Sequence, residues 1–472
     1  MYNLLEEKWI TVQTQRGVNK VSLVELIEDA HEILDVIDNP IVRVSILRVA
    51  LSILYEQYQI RTSKQWISLW NKSRFDRTLL DKKKFELFDD KKPFYQSVGV
   101  VEQKNAFTIQ PHLGGNNVIF FNDPQKLRSL TYEESAKWLI THQMWAVCMP
   151  SKGKYLKNSI LTGGVVLILE GSNLFETLML NMLCGDHVGN PIWSRKENSG
   201  LLDLLTWRSR SMRLISDNGV VRKIDYADGD EIPEGIDDSM LVYVMRKGEK
   251  QKLTLNHEKQ LWRNCEALFA AENKDCSLAL KQFINLLNMD SVLEVTNERF
   301  KTLEKRFSIT AMIITNTAKV QHYVYQTFPI PEMFFDPSKS ESKRGEIGAM
   351  LRKANELSRI IRFNFLKQMN IKAKRGKRIV IDGYLMEYWN MLEVPFMNYL
   401  SDKLNMEQFI ELCFRTTNKV VNKIVSDYWS EDAFKFVKLC GFGISALKEG
   451  EKVDGTKSRN DISKQAEEFK EG

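Results

Sequence analysis

The chain has 472 residues, 43% hydrophobic and 27% charged, with a formal net charge of +6. Those are the proportions of an ordinary soluble protein of more than one domain; the mild basicity is compatible with a nucleic-acid partner without requiring one. No apolar run approaches the roughly 18 residues of a membrane span, and the start, MYNLLEEKWI, lacks a signal-peptide core.

No two of the six cysteines (Cys148, Cys184, Cys265, Cys276, Cys413, Cys440) stand as Cys-x-x-Cys, and His187 near Cys184 lacks a second half. That pattern implies reduced thiols in a cytoplasmic protein, with no membrane anchor, metal or cofactor.

In chain order, Asp38-Asn39-Pro40 predicts a helix cap, with Pro40 at the first helical position of an apolar run from Ile41 to Leu54. VVLIL at 165–169 predicts a short buried strand, and Gly171-Ser172-Asn173 starts a helix through Leu183. Residues 239–256 predict a β-hairpin around Arg246-Lys247-Gly248-Glu249. The pattern turns helical after about Asp336-Pro337-Ser338. Ile347, Met350, Leu351, Ala354, Leu357, Ile360 and Ile361 recur at helical spacing. A second stripe, 381–400, is interrupted by Pro395. Phe409, Ile410, Cys413, Phe414, Val420, Val421 and Ile424 form a third. Phe434, Val437 and Cys440 begin a fourth, which meets Gly441 and Gly443 early. The expected fold class is therefore α+β: a large mixed N-terminal domain, 1–340, followed by a C-terminal four-helix bundle, 341–448, and a polar tail, 449–472.

Catalytic constellations are missing from the pattern. PSKGKYLKNSILTGG at 150–164 looks phosphate-binding, yet Gly153-Lys154 is followed by Tyr155 and the first Walker glycine is Cys148. Asp186 and His187 are adjacent, so their side chains diverge unless the loop turns sharply; the plainer reading is a polar loop. Asp89-Asp90 and Asp237-Asp238 read as turns or caps before they read as metal ligands.

Charge is more informative. Residues 341–378 hold twelve Lys/Arg against three Glu, a local net of +9, densest in IKAKRGKR at 371–378, read as the loop after the first bundle helix. A solvated face and a phosphate contact are both open there. Other basic groups fall at turns: Lys152, Lys154 and Lys157; Lys126 and Arg128 after Asn122-Asp123-Pro124; and Arg208, Arg210, Arg213, Arg222 and Lys223 around Asp217-Asn218-Gly219. Phe120, Phe121, Tyr155 and Trp207 lie close by, a combination suited to backbone contact with base stacking or wedging.

In this order, several segments resemble the CasA family, the large subunit of the type I-E CRISPR surveillance complex, Cascade. They are YNLLEEKWITV at 2–12, KKPFYQSVGV at 91–100, GGNNVIFFND at 114–123, SILTGGVVLILEGSNLFETLMLNML at 159–183, VYVMRKGE at 242–249 and YWNMLEVPF at 388–396. The resemblance implies a non-catalytic subunit. Its partners would be guide RNA, other Cascade subunits, double-stranded and displaced single-stranded DNA, and a helicase-nuclease. Guide pairing reads the target while the protein reads a short duplex motif, the PAM. The implied glycine loop maps onto 150–158, with Lys152, Gly153 and Lys154 on DNA; the family pattern is richer in glycine. The implied wedge maps onto Asn316-Thr317, with Thr317 in place of the family's Gln. The implied lysine finger falls in a 218–235 loop, at Lys223 with Arg222 second. Phe120 and Asn122, with Lys126 and Arg128, map onto a loop that anchors guide RNA. Lys372, Lys374, Arg375, Lys377 and Arg378 would hold DNA on the bundle. A general nucleic-acid-binding protein and an enzyme using Asp186 and His187 stay open as alternatives.

Overall fold

The computed structural model describes residues 2–100, 102–111, 129–151, 154–186, 189–195, 200–233, 235–255, 260–264, 268, 277–287, 289, 300, 302–314, 320–331, 337–369, 374–428 and 430–448. Phe120, Asn122, Lys126, Arg128, Lys152, Gly153, His187, Asn316, Thr317, Lys372 and the tail lie outside them, as do the side chains of Lys154, Lys374, Arg375 and Lys377. The described residues cluster into two compact units. The first runs to Leu261 and resumes through Ile330; the second holds the chain from Ser338 together with Trp262, Arg263 and Asn264. Helices and antiparallel sheets are both well represented, so the class is α+β.

The first unit begins with strands β1 (Ile10–Thr14) and β2 (Gly17–Val21), helix α1 (Leu23–Glu28) and strand β3 (Ile33–Val36), with sheet order β2-β1-β3. Ser22 and Glu25 close a capping box on α1. Helix α2 (Pro40–Tyr58) starts as expected: the Asn39 side chain accepts from the Ile41 amide at 3.2 Å, and Pro40 opens the helix. Every residue from Ile41 to Tyr55 is buried, so α2 is the pillar of the unit rather than a surface helix. After α3 (Ser63–Lys72) come β4 (Gln103–Asn105), β5 (Leu130–Thr131), α4 (Tyr132–Trp145), β6 (Met149–Ser151), β7 (Lys154–Leu156), β8 (Val165–Glu170), α5 (Leu174–Asn181) and α6 (Leu201–Leu205). Then follow β9 (Arg210–Asp217), β10 (Val220–Asp228), β11 (Tyr243–Arg246), β12 (Glu249–Lys252), α7 (Leu278–Leu287), β13 (Arg306–Ile314) and β14 (Val320–Pro329).

Strand β8 is buried along its whole length in the sheet β14-β13-β8, as the VVLIL run predicted. Its entrance explains both residues of the Gly163-Gly164 pair. Gly163 has φ +74, and a Cβ at Gly164 would stand 2.8 Å from Leu241 Cδ2. The predicted hairpin is β11–β12, joined by Lys247 and Gly248 at φ 53 and 83, a two-residue turn with both φ positive.

Two arginines enter the core from α2. The Arg43 guanidinium reaches Asp35 of β3 at 2.7 Å and Glu170 of β8 at 2.8 Å. Arg48, fully buried, grips Asp238 at 2.9 and 2.6 Å and donates to the carbonyls of Leu204 and Leu205 at the end of α6. Asp238, read from the sequence as half of a turn or cap, does accept from the Met240 amide at 3.0 Å, and it is also a buried counter-charge. Asp89 is a turn residue as expected, its carboxylate accepting from the amides of Lys91 and Lys92.

The second unit contains helices α8 (Pro337–Gln368), α9 (Lys374–Leu400), α10 (Met406–Asp427) and α11 (Glu431–Lys448). All seven apolar residues of the first predicted stripe are buried on α8. Three details depart from the sequence reading. Pro395 does not interrupt the second stripe: α9 runs through it to Leu400, held by the buried Phe396, Tyr399 and Leu400. Of 371–378, residues 374–378 are the first turn of α9 and not a loop. The buried face of α11 is Ala433, Phe436, Cys440, Gly443, Ile444 and Leu447, which leaves Phe434 58% exposed. Gly443 sits beneath Ile360, whose atoms would be 3.1–3.3 Å from an added Cβ. Trp262 packs on Trp389 and Phe396, with centroids 5.7 and 4.9 Å apart, while Arg263 lies 3.6 Å over the Trp389 ring and donates to Asn355.

Replacing Asp238 by Ala strands the Arg48 charge in the core and should cost about 3–5 kcal/mol of unfolding free energy in chemical denaturation. Asp237→Ala, which removes only a partly exposed partner of Lys250, should cost about 1 kcal/mol or less.

Candidate nucleic-acid interface

The segment 150–158 is not a simple loop. Strands β6 and β7 pair antiparallel with Ser151 opposite Lys154, a short hairpin whose connecting residues 152 and 153 lie outside the described residues. The hairpin's base is tied down on both sides. Asn158 Oδ1 accepts from the Cys148 amide at 2.6 Å, and the Ser159 amide donates to the Ala146 carbonyl at 2.8 Å.

The stretch expected as a loop, 218–235, is largely strand. Asn218 and Gly219, at φ 51 and 83, form the tight turn that starts β10. Lys223 and Arg222 therefore stand on a sheet. Val221 pairs with Ser216 and Lys223 with Ile215, so Arg222 is the extra residue of a β-bulge. The bulge leaves both side chains exposed on consecutive positions. Arg222 pairs with Asp217 at 2.7 Å, whereas Lys223 makes no ion pair among the described residues. Of the other cations grouped with them, Arg208 is held by Asp230 and Arg213 reaches Asp90 at 3.7 Å.

A buried hydrogen-bond chain joins these elements. Arg210 Nε donates to Tyr226 Oη at 2.9 Å, Tyr226 donates to His142 Nε2 at 2.8 Å, and His142 Nδ1 donates to the Ile109 carbonyl at 2.9 Å. This tautomer satisfies both ring nitrogens of a neutral imidazole. Burial, with Arg210 beside it, pushes the His142 pKa down from 6.5 to about 3. The Arg210 guanidinium continues to the Lys157 carbonyl at 2.5 Å, the Val147 carbonyl at 3.4 Å and its neighbour's, Ser209, at 2.7 Å. Gln143 exchanges hydrogen bonds with the Arg210 backbone in both directions. Three residues on, Lys252 Nζ donates to the Ile160 carbonyl. Gly163 then lies beside Ile314, the last residue of β13 before 315–319.

One piece of backbone, 157–164, therefore meets the hairpin base, strand β10 through Arg210 and Tyr226, and the root of the segment holding Asn316 and Thr317. The chain on either side of 112–128 is held by the same elements. On one side His142 donates to the Ile109 carbonyl, and on the other Leu130 pairs with Val221. Arg210, Tyr226 and His142 carry no short-range signal: their contacts span 16, 84 and 33 residues.

In the second unit, Arg378 is exposed on the first turn of α9. Part of the basic run is internally neutralised, Arg362 by Asp382, and Lys353 donates to the Leu447 carbonyl. Asp186 is exposed and pairs with Arg61 at 3.0 Å. Among the described residues no group of three or more His, Cys, Asp or Glu side chains could hold a metal ion, and no helix is long and apolar enough to cross a membrane.

His142 gives stability a defined acid dependence. Between pH 6.5 and about 3 the unfolded chain holds the imidazole proton and the folded chain does not, so stability rises with pH by up to about 1.4 kcal/mol per unit. In a His142→Gln variant that contribution should vanish, so urea denaturation should show the wild type's advantage present above pH 6.5 and shrinking towards pH 3.

The family model for CRISPR-associated protein Cse1 matches residues 3–418. The fold is similar to that of Thermus thermophilus CasA (Cse1), at TM-score 0.79 and 19% identity, covering 94% of this chain and 98% of that one. Thermobifida fusca Cse1 follows at TM-score 0.76 and 17% identity, covering 95% and 98%. A chain of a structure titled "CRISPR RNA-guided surveillance complex" matches at TM-score 0.76 and 15% identity, covering 94% and 99%. Curated proteins gave no match. With its family match extending over most of its length, the chain belongs to the CRISPR-associated Cse1 family.

Proposed function

We propose that this chain is the large subunit of a type I-E CRISPR RNA-guided surveillance complex, in which it reads the PAM of duplex DNA, helps to open the duplex and stabilise the R-loop, and recruits the helicase-nuclease. The family match and the likeness to a chain of a surveillance complex support membership of such an assembly. The observation that carries the DNA-reading role is the convergence of the β6–β7 hairpin, bulged β10 and the root of 315–319 on residues 157–164.

In this reading Lys152, Gly153 and Lys154 approach the duplex at the hairpin tip. Lys223 reads or clamps from the sheet, with Arg222 on the backbone. Asn316 and Thr317 enter between the strands. A minor-groove reader sees a degenerate donor and acceptor pattern, which suits tolerance of several motifs. Phe120, Asn122, Lys126 and Arg128 anchor guide RNA and neighbouring subunits. Lys372, Lys374, Arg375, Lys377 and Arg378 hold displaced single strand or flanking duplex. Four cations on the first turn of α9 oppose the positive end of its dipole, an arrangement that a phosphate relieves. The role is recognition rather than catalysis: Asp186, half of the acid–base alternative, is a solvent-exposed partner of Arg61.

Native purification with the neighbouring gene products should yield a complex containing guide RNA and companion subunits; their absence would remove the assignment. In that complex Lys223→Ala and Asn316→Ala should each weaken motif-dependent target binding by about 1–3 kcal/mol, measured by titration of duplexes with and without the flanking motif. Unchanged motif dependence would take both out of the reader.

A further inference from the structure

Residues 74–84 of the first unit have no part in the reading above. They include five cations, Arg74, Arg77, Lys82, Lys83 and Lys84, and two carboxylates, Asp76 and Asp81, all of them exposed. Both carboxylates are engaged locally. Asp76 accepts from Lys72 at 2.9 Å, and Asp81 Oδ1 accepts from the Lys83 amide at 3.1 Å to cap a 3-10 turn, Lys82–Phe85. Lys82 pairs with Glu6, and Lys84 donates to the Ser194 hydroxyl at 2.9 Å. Arg74, Arg77, Lys83 and Lys84 make no ion pair among the described residues. Among these charges stands Leu79, 86% exposed, more than any other large hydrophobic side chain described.

A leucine exposed on a loose loop is ordinary. This one is held out by a pinned backbone. At one end Phe75 packs on Phe175, with centroids 4.7 Å apart; at the other Phe85 packs on Phe94 and Trp193, at 5.2 and 5.1 Å. Between them the Asp76 amide donates to Tyr58 Oη at 2.6 Å, Gln57 donates to the Arg77 carbonyl at 3.4 Å, and the Thr78 amide donates to Glu28 at 2.8 Å. Thr78 is buried, and Arg77 and Leu79 on either side of it face solvent. Backbone already ordered loses little freedom when a partner binds. We infer that residues 74–84 are a docking surface for an acidic polypeptide. Leu79 enters an apolar socket on the partner, and carboxylates around that socket face Arg77 and Lys83, with Arg74 and Lys84 on the rim. An apolar anchor ringed by charge is the anatomy of a protein–protein hot spot. A nucleic acid would use the same cations but leave Leu79 in water: leucine offers no ring for a base to stack on, and both aromatics of the segment are buried. The inference is independent of the DNA-reading role.

The test places a photo-reactive benzophenone amino acid at position 79 of the full chain, produced with its neighbouring gene products. Cells are irradiated intact, and the adduct is isolated under denaturing conditions and mapped by mass spectrometry. The expected adduct is one protein peptide in which clustered Asp and Glu flank apolar residues. Arg77→Glu combined with Lys83→Glu should lower its yield about tenfold, and changing the mapped carboxylates to Lys should restore it. With the label moved to position 84, Leu79→Ser should lower the yield about tenfold as well. All these side chains are exposed, and thermal unfolding of the purified variants checks that the fold is kept. Absence of an adduct, an adduct to nucleic acid, or a mapped peptide without an acidic cluster would overturn the inference. So would a yield indifferent to the charge reversal or to Leu79→Ser. Irradiation precedes purification and needs no guide RNA, so loss of the surveillance-complex assignment would leave this result standing on its own.

Discussion

Burying a guanidinium is costly unless most of its donors find partners, and that requirement orients helix α2 within the first unit. Helix α2 is buried on all sides, so its hydrophobicity alone favours no rotation about its axis. Arg43 and Arg48 supply the missing azimuth. One must meet β3 and β8, the other the end of α6 and Asp238, and a single rotation satisfies both. The sheet containing β8, and with it the entrance at Gly163-Gly164, is positioned as a consequence.

Local chemistry made much of this fold legible. Asn39-Pro40, the VVLIL strand, the Lys247-Gly248 turn and the stripe on α8 each act within a few residues, where capping, turn and periodicity rules apply. The misread elements failed for equally local reasons. IKAKRGKR has the glycine and charge of a loop, yet its second half is helical because the apolar face of α9 behind it is buried. On α11, Phe434 outweighed Ala433 in hydrophobicity, although the smaller residue faces the core. Strands of three residues, as in β6 and β7, are too short to show alternation.

The candidate site was legible only in part. Lys223 and Arg222 were expected in a loop, from the family resemblance and a nearby turn signal, but their shared exposure depends on a bulge that no two-residue period announces. Arg48 meets Asp238 across 190 residues, and Tyr226 meets His142 across 84. Pairings of that range are properties of the folded chain, and a basic or acidic residue in sequence does not reveal whether its partner is a carboxylate, a carbonyl or solvent. The +9 stretch makes the same point, since Arg362 and Lys353 already have partners inside their own unit.

The second unit takes in a tryptophan made long before its helices. Trp262 fills the space against Trp389 and Phe396, and Arg263 caps the indole of Trp389. A fragment cut at residue 338 would lack this plug and present two large aromatic faces to solvent, a surface prone to self-association. During synthesis, the plug emerges first, 127 residues before Trp389 and 134 before Phe396, the two rings that will enclose it. The bundle is therefore a module by shape, but its autonomy ends at a side chain contributed from the other side of a long intervening sequence.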